Sequence, residues 1–384
     1  MATIKLSHLK FKTSLTALTV GLLLLQYHLS SSGSLQISQL FLLVFALLSC
    51  KSLFLNYRRI PSSIRIYFIL FSVYALIVNS IQYFIHAEDS LLKSNLYILY
   101  NAIVFFSLAT FYLNYLRQFS IWNTILWSLL IALLAAVVQH FIGLGRYDFA
   151  PRYNGFFNDP NQMAFWGLCS FGIISLLAKN LKIVIVAFVA VFIVCMITMS
   201  RSSLLGIAPM MVGVLFKLEK AIYKSKFFIP ITLVLSGFAL FFFSTEHKVK
   251  LSENSSYFIE RVKTTDVQDQ KEVRGYNLLS EYPEQLIFGA GQGDMKRFNR
   301  DREIHSTWHG ILFYYGIPGL AFFLLFLYNL YRRLTVSETL ISIGPLLYSF
   351  TTYGARTPLF YIFLACIFIS TYQRGYYHRH IVHQ

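Results

Sequence analysis

The sequence predicts an all-α integral membrane protein, a polytopic helical bundle of about twelve transmembrane helices with one long extracytoplasmic loop. Three observations predict it. The 384 residues are 56% hydrophobic and only 13% charged, whereas about a quarter of residues are charged in a soluble domain. Apolar runs close to the ~20 residues that cross a hydrocarbon core recur along the whole chain. The Lys and Arg residues gather in alternate connections between those runs.

Taken in order, the runs are 13–29, 35–55, 65–85, 92–116, 120–143, 162–178, 182–200, 202–217, 227–245, 307–331, 339–353 and 357–373. Backbone polar groups in lipid must be satisfied within their own segment, so each run is expected to be a helix. The short ones, 162–178, 202–217 and 339–353, read as tilted, broken or re-entrant. No small-residue cleavage site follows the first run, which therefore reads as a retained span. Cys50, Cys169, Cys195 and Cys366 sit inside apolar runs without CxxC or Cys/His spacing, so they read as small core residues. The chain divides into N-terminal transmembrane helices (1–245), a long loop (246–306) and C-terminal transmembrane helices with a tail (307–384).

Charge orients this arrangement. With a cytoplasmic N-terminus, the inner connections hold eighteen of the 33 Lys and Arg residues but only two acids, Glu219 and Glu338. Ten of the outer cations lie in loop 246–306, which crosses largely regardless of charge, and the short outer connections hold five. The net charge of +16 is then an inner excess. It reads as membrane topology, with both termini inside, and not as a nucleic-acid footprint.

Four outer features stand out. Residues 146–161 end in Asp159-Pro160, suited to an N-cap followed by proline in the first helical turn. That reading covers Asp159 and Asn161 but leaves Arg146 and Arg152 unexplained. Arg201 is wedged between two apolar runs, where an arginine either faces a polar cavity or snorkels to headgroups. Arg274 precedes the turn Gly289-Ala290-Gly291-Gln292-Gly293, whose glycines allow close backbone approach to a ligand but lack the Lys-Ser/Thr of a P-loop. His305-Ser306 stands at the mouth of a membrane helix. His305 and His309 are spaced to share a helix face, yet no HExxH motif or third ligand accompanies them, and a proton-positioning role suits His305 better than a metal.

The pattern His305-Ser306, nine residues, Gly316, two residues, Gly319 resembles the His-Asn/Ser-x9-Gly-x-x-Gly signature of the bacterial O-antigen ligase and O-antigen polymerase superfamily. The stretches GFFNDPNQMA and SRSSLLG and the placement of Arg274 before GAGQG extend the resemblance over residues 146–320. It implies a GT-C-like glycosyltransferase acting on the outer face of the bacterial inner membrane. Its donor would be a glycan on undecaprenyl diphosphate, its acceptor a glycan or a lipid A-core hydroxyl, and it would use no metal or other cofactor. It further implies His305 as the catalytic residue and Arg201 and Arg274 as diphosphate ligands, with Arg146, Arg152, Asn161, Ser306 and His309 in support. The absence of a DxD motif agrees with arginines supplying the charge. Polymerase and ligase share these motifs, and nothing in the chain separates them. A transporter would instead place ionisable residues in mid-span and interrupt helices in corresponding halves.

Overall fold

The computed structural model describes residues 2–29, 36–115, 120–222, 274–300 and 303–381. The predicted span 227–245 and loop residues 246–273 lie outside the described residues. Helices carry almost all of the described chain: α1 (Ala2–Leu24), α2 (Ile37–Leu48), α3 (Cys50–Asn56), α4 (Ser62–His86), α5 (Asp89–Asn114), α6 (Ser120–Phe141), α7 (Pro160–Leu177), α8 (Leu181–Ile197) and α9 (Arg201–Ile222). Two single turns follow, α10 (Leu278–Glu281) and α11 (Gln285–Phe288), and then α12 (Thr307–Tyr331), α13 (Val336–Tyr348) and α14 (Pro358–Ile381). Among the described residues there are no strands, only two isolated bridges within residues 146–155.

Among the described residues, four helices are long and apolar enough to cross a membrane: α4, α5, Ile121–Phe141 of α6, and α12. The predicted run 35–55 is a pair, α2 and α3, bent by 53°. This is an all-α, multi-pass membrane architecture.

The core forms around α14. From Leu359 to Ile369 every residue of α14 is buried, so this helix is apolar all round and enclosed, not lipid-facing on one side. It packs on α5 and α7, while α4 packs on α5 and α12. Lipid is as apolar as a leucine side chain, so burial between helices is favoured by dispersion and close fit and not by escape from water. Aromatic pairs such as Phe68 on Phe326, with ring centroids 4.5 Å apart, supply that fit. Small residues supply it between α9 and α13, where a Cβ on Gly206 would stand 3.1 Å from the carbonyl oxygen of Gly344 and one on Gly213 2.8 Å from that of Ser337.

One break positions the rest. Gly316 interrupts α12 with φ 63° and ψ −172°. In a continuous helix the carbonyl of Phe313 would accept from residue 317 and that of Tyr314 from residue 318, but residue 318 is proline and has no N–H. The glycine turn fills the gap, Ala290 N–H donating to Phe313 O at 2.9 Å and Gly291 N–H to Tyr314 O at 2.8 Å. Of the glycines of this turn, Gly289 packs against Tyr314 and Tyr315 of α12, Gly291 against Gln82 of α4 and Leu91 of α5, and Gly293 lines the cavity described below. A Cβ on Gly316 would stand 2.7 Å from Ile287 O.

Candidate functional site

Loop 142–159 is built by its own backbone and by two arginines. Arg146 N–H donates to Gly155 O at 2.8 Å and Asn154 N–H to Arg146 O at 3.1 Å, closing a short hairpin-like turn. The Arg146 guanidinium then donates from Nη2 to the carbonyls of Phe156 and Phe157 at 3.0 and 2.8 Å and sits 3.6 Å from Asp148. Arg146 clamps its own loop and does not line the cavity described below. Asp159 caps α7, its carboxylate accepting from Asn161 N–H at 2.6 Å with Pro160 in the first turn, as the dipeptide predicts.

Arg152 and Asn161 do more. Arg152, 8% exposed, donates from Nε to Thr198 O at 3.0 Å and from Nη2 to Asn161 Oδ1 at 2.9 Å. That amide oxygen also accepts from Ser200 Oγ at 3.0 Å, and the backbone carbonyl of Asn161 accepts from the Tyr348 hydroxyl at 3.1 Å. Asn161 thus ties the α6–α7 loop to the start of α9 and the end of α13. Arg201 opens α9 next to Ser200; its side chain lies outside the described residues.

The start of α12 separates the two histidines. Ser306 is the N-cap, its hydroxyl accepting from His309 N–H at 3.3 Å and lying 2.9 Å from His309 Nδ1. The His309 ring stacks on Tyr276 at 4.2 Å. His305 precedes the cap and lies outside the helix, so the helical period that would put residues 305 and 309 on one face does not reach it. Ser306 and His309 build the helix entry, whereas the exposed His305 side chain faces the cavity. His305 N–H donates to Arg274 O at 3.1 Å, and Arg274 donates from Nη1 to Thr351 O at 3.3 Å. Among the described residues, no group of three or more His, Cys, Asp and Glu is placed to hold a metal ion.

The cavity has a volume of about 870 Å³. It lies where the α1–α2, α4–α5, α6–α7 and α13–α14 connections meet the segment before α12, all of them connections that alternating spans assign to one end. Arg152, Asn161, Arg274 and His305 of the predicted set line it, joined by Lys93 from α5 and Arg356 from the α13–α14 connection. Among the described residues two carboxylates line it, Asp159, engaged as a cap, and Glu303, ion-paired with Arg356. Burial disfavours the charge on Arg356, but the Glu303 carboxylate outweighs burial and raises the guanidinium above its ordinary pKa. A more neutral wall faces these groups, with Gln36, Ser38 and Gln39 at the start of α2 and Ser90, Ser94 and Tyr97 on α5. Ser90, Lys93, Ser94 and Tyr97 are spaced i, i+3, i+4, i+7, one face of a helix that is otherwise apolar enough to span a membrane.

Sequence motifs passed over Lys93, Glu303 and Arg356. Lys93 and Arg356 carried a signal nonetheless, since they belong, with Arg146, Arg152 and Arg201, to the five cations of the short outer connections. Among the described residues, Lys93, Arg152 and Arg356 of those five line the cavity. No protein-family model matches the chain, and no curated protein matches it.

Proposed function

We propose that the protein is a membrane glycosyltransferase that moves a glycan from undecaprenyl diphosphate to an acceptor hydroxyl, of the O-antigen or exopolysaccharide polymerase kind, with the O-antigen ligase reaction as its close alternative. In this reading the chain crosses the bacterial inner membrane about twelve times with both termini cytoplasmic, and the cavity opens on the periplasmic side. What supports the reading is one observation: His305, Arg274 and Arg152, separated by up to 153 positions in sequence, line a single cavity together with Arg356.

The chemistry needs little more than placement. The acceptor oxygen attacks the anomeric carbon as its proton passes to His305, and the carbon–oxygen bond to the diphosphate breaks with its electron pair leaving on the phosphate. Attack opposite that leaving group inverts the anomeric centre. Guanidinium groups of Arg274 and Arg152, with Arg201 at the head of α9, hold the developing negative charge. Its volume falls in the range of ligand sites, roughly 300–1,000 Å³.

The test is transfer of a labelled undecaprenyl-diphosphate glycan by the purified protein. Transfer that depends on His305 and persists in EDTA supports the proposal; donor binding without any transfer to glycan or lipid A-core acceptors counts against it. Transport is the rival reading, favoured by the interrupted helices α2–α3 and α12. In α12, however, the carbonyls freed by the break are already engaged by residues 290 and 291 and are not offered to an ion.

A further inference from the structure

Glu303, Ile304 and His305 lead into the N-cap of α12 outside any helix or strand. Ile304 is fully buried, and Glu303 and His305 both reach the cavity. Glu303 is paired with Arg356, which stands on a connection held from α5 by Asn101 Nδ2 donating to Arg356 O at 3.1 Å. The pair is unusual for where it stands. Arg152, Arg274 and Lys93 are further cations of the lining, and the other described lining carboxylate, Asp159, is committed to capping α7. Glu303 is thus the one described lining carboxylate not consumed by secondary structure, and it neutralises a cation that would otherwise add to the anion-binding wall. A guanidinium presents its N–H donors in a fixed planar fork that fits a phosphate as well as a carboxylate, so a phosphate can take the place of Glu303 on Arg356.

We propose that Arg356 and Glu303 form an anion-exchange latch: a diphosphate ester entering the cavity competes with Glu303 for Arg356, and its arrival frees the Glu303 carboxylate within the cavity that His305 also lines. The proposal rests on the diphosphate reading of the cavity and adds to it a cation that is masked until ligand arrives. Glu303 then lowers the affinity of the empty site for anions, and its release couples donor binding to the chain segment that carries His305. Its cost is that the ligand must displace a partner already in place; its consequence is that bare anions are held weakly.

The experiment measures binding of farnesyl diphosphate to the purified full chain in detergent by calorimetry, for the wild type, Glu303→Gln, Arg356→Gln, Arg356→Lys, Arg274→Ala and the Glu303→Gln/Arg356→Gln double variant, with thermal unfolding of each without ligand. The latch requires Glu303→Gln to bind about tenfold more tightly, Arg356→Gln to bind more weakly, Arg356→Lys to recover part of that loss, and the double variant to match Arg356→Gln alone. Unchanged or weaker binding by a folded Glu303→Gln, or a double variant in which the Glu303→Gln gain persists, overturns it. If the wild type binds with an affinity that Arg274→Ala reduces while Glu303→Gln changes nothing, the diphosphate site stands and the latch falls. If the wild type does not bind, both fall.

Discussion

At the scale of residues, the arrangement separates side chains that build the site from those that face into it, and each separation makes a measurable difference. His305→Ala should fold, bind donor and lose transfer by the roughly 10²–10⁴-fold that general acid–base catalysis contributes. His309→Ala and Ser306→Ala should act instead on the entry of α12, since His309 is spent on Ser306 and Tyr276. Loss of the N-cap is expected to cost about 1 kcal/mol in thermal unfolding with donor affinity intact. Equal loss of transfer from His305→Ala and His309→Ala, joined to sensitivity to EDTA, would point to a shared metal. Arg274→Ala should weaken donor binding and lower turnover by roughly 10²–10³-fold, the effect of removing one preorganised donor from an anionic centre. Arg274→Lys should recover little, because a point charge does not reproduce a bidentate fork; near-normal turnover in that variant would leave only a role for charge. Arg146→Ala should behave differently again, lowering the melting temperature through the carbonyls of Phe156 and Phe157 without changing the ratio of transfer to folded protein.

At the scale of elements, the interruption of α12 ties the polar loop to the membrane helix. Two backbone carbonyls released at Gly316 and Pro318 are satisfied by the amides of Ala290 and Gly291, which fixes the glycine turn and, through Tyr315 and Tyr353 donating to Gln292 Oε1 at 2.9 and 3.1 Å, the cavity floor near it. Gly316→Ala should therefore destabilise by about 1–3 kcal/mol, since it combines a left-handed φ with a close approach to Ile287 O. Gly143 has a similar φ of +74°, but a Cβ there would meet nothing within 4 Å, so Gly143→Ala should lose less. Melting curves of the two variants in the same detergent decide it: equal losses would mean that conformation alone, and not the docked turn, sets the cost.

At the scale of the whole molecule, the connections predicted to lie outside converge on one cavity, while the opposite end holds Lys217, the Glu338–Arg374 ion pair at 2.7 Å and the capping box of Thr335 with Glu338. The two ends differ in the chemistry they offer: one is an open polar chamber, while the other carries the cationic excess, with Glu338 paired to Arg374. Reporter fusions after Arg117 and after Lys224 should read as cytoplasmic and a fusion near Val267 as extracytoplasmic. A cytoplasmic label on residues 246–306 would invert the orientation and remove the periplasmic reaction with it.

The sequence alone determined the class of the fold, because in lipid a long apolar run has few ways to satisfy its backbone other than as helix, and it marked Arg152, Asn161, Arg274 and His305 as out of place among such runs. It also marked Arg146, Ser306 and His309, whose residue types are the same but whose hydrogen bonds are spent locally on a loop and a helix cap. Only the tertiary structure separates the two groups, since a side chain's role depends on which partners reach it and those partners come from other helices. The same holds for Glu303 and Arg356, 53 positions apart along the chain, which carry no motif and meet only when the α13–α14 connection folds over the start of α12. The glycines of residues 289–293 show the reverse case: spacing reveals that a backbone must come close to something, and packing alone reveals that it is the broken α12 for Gly289 and α4 and α5 for Gly291.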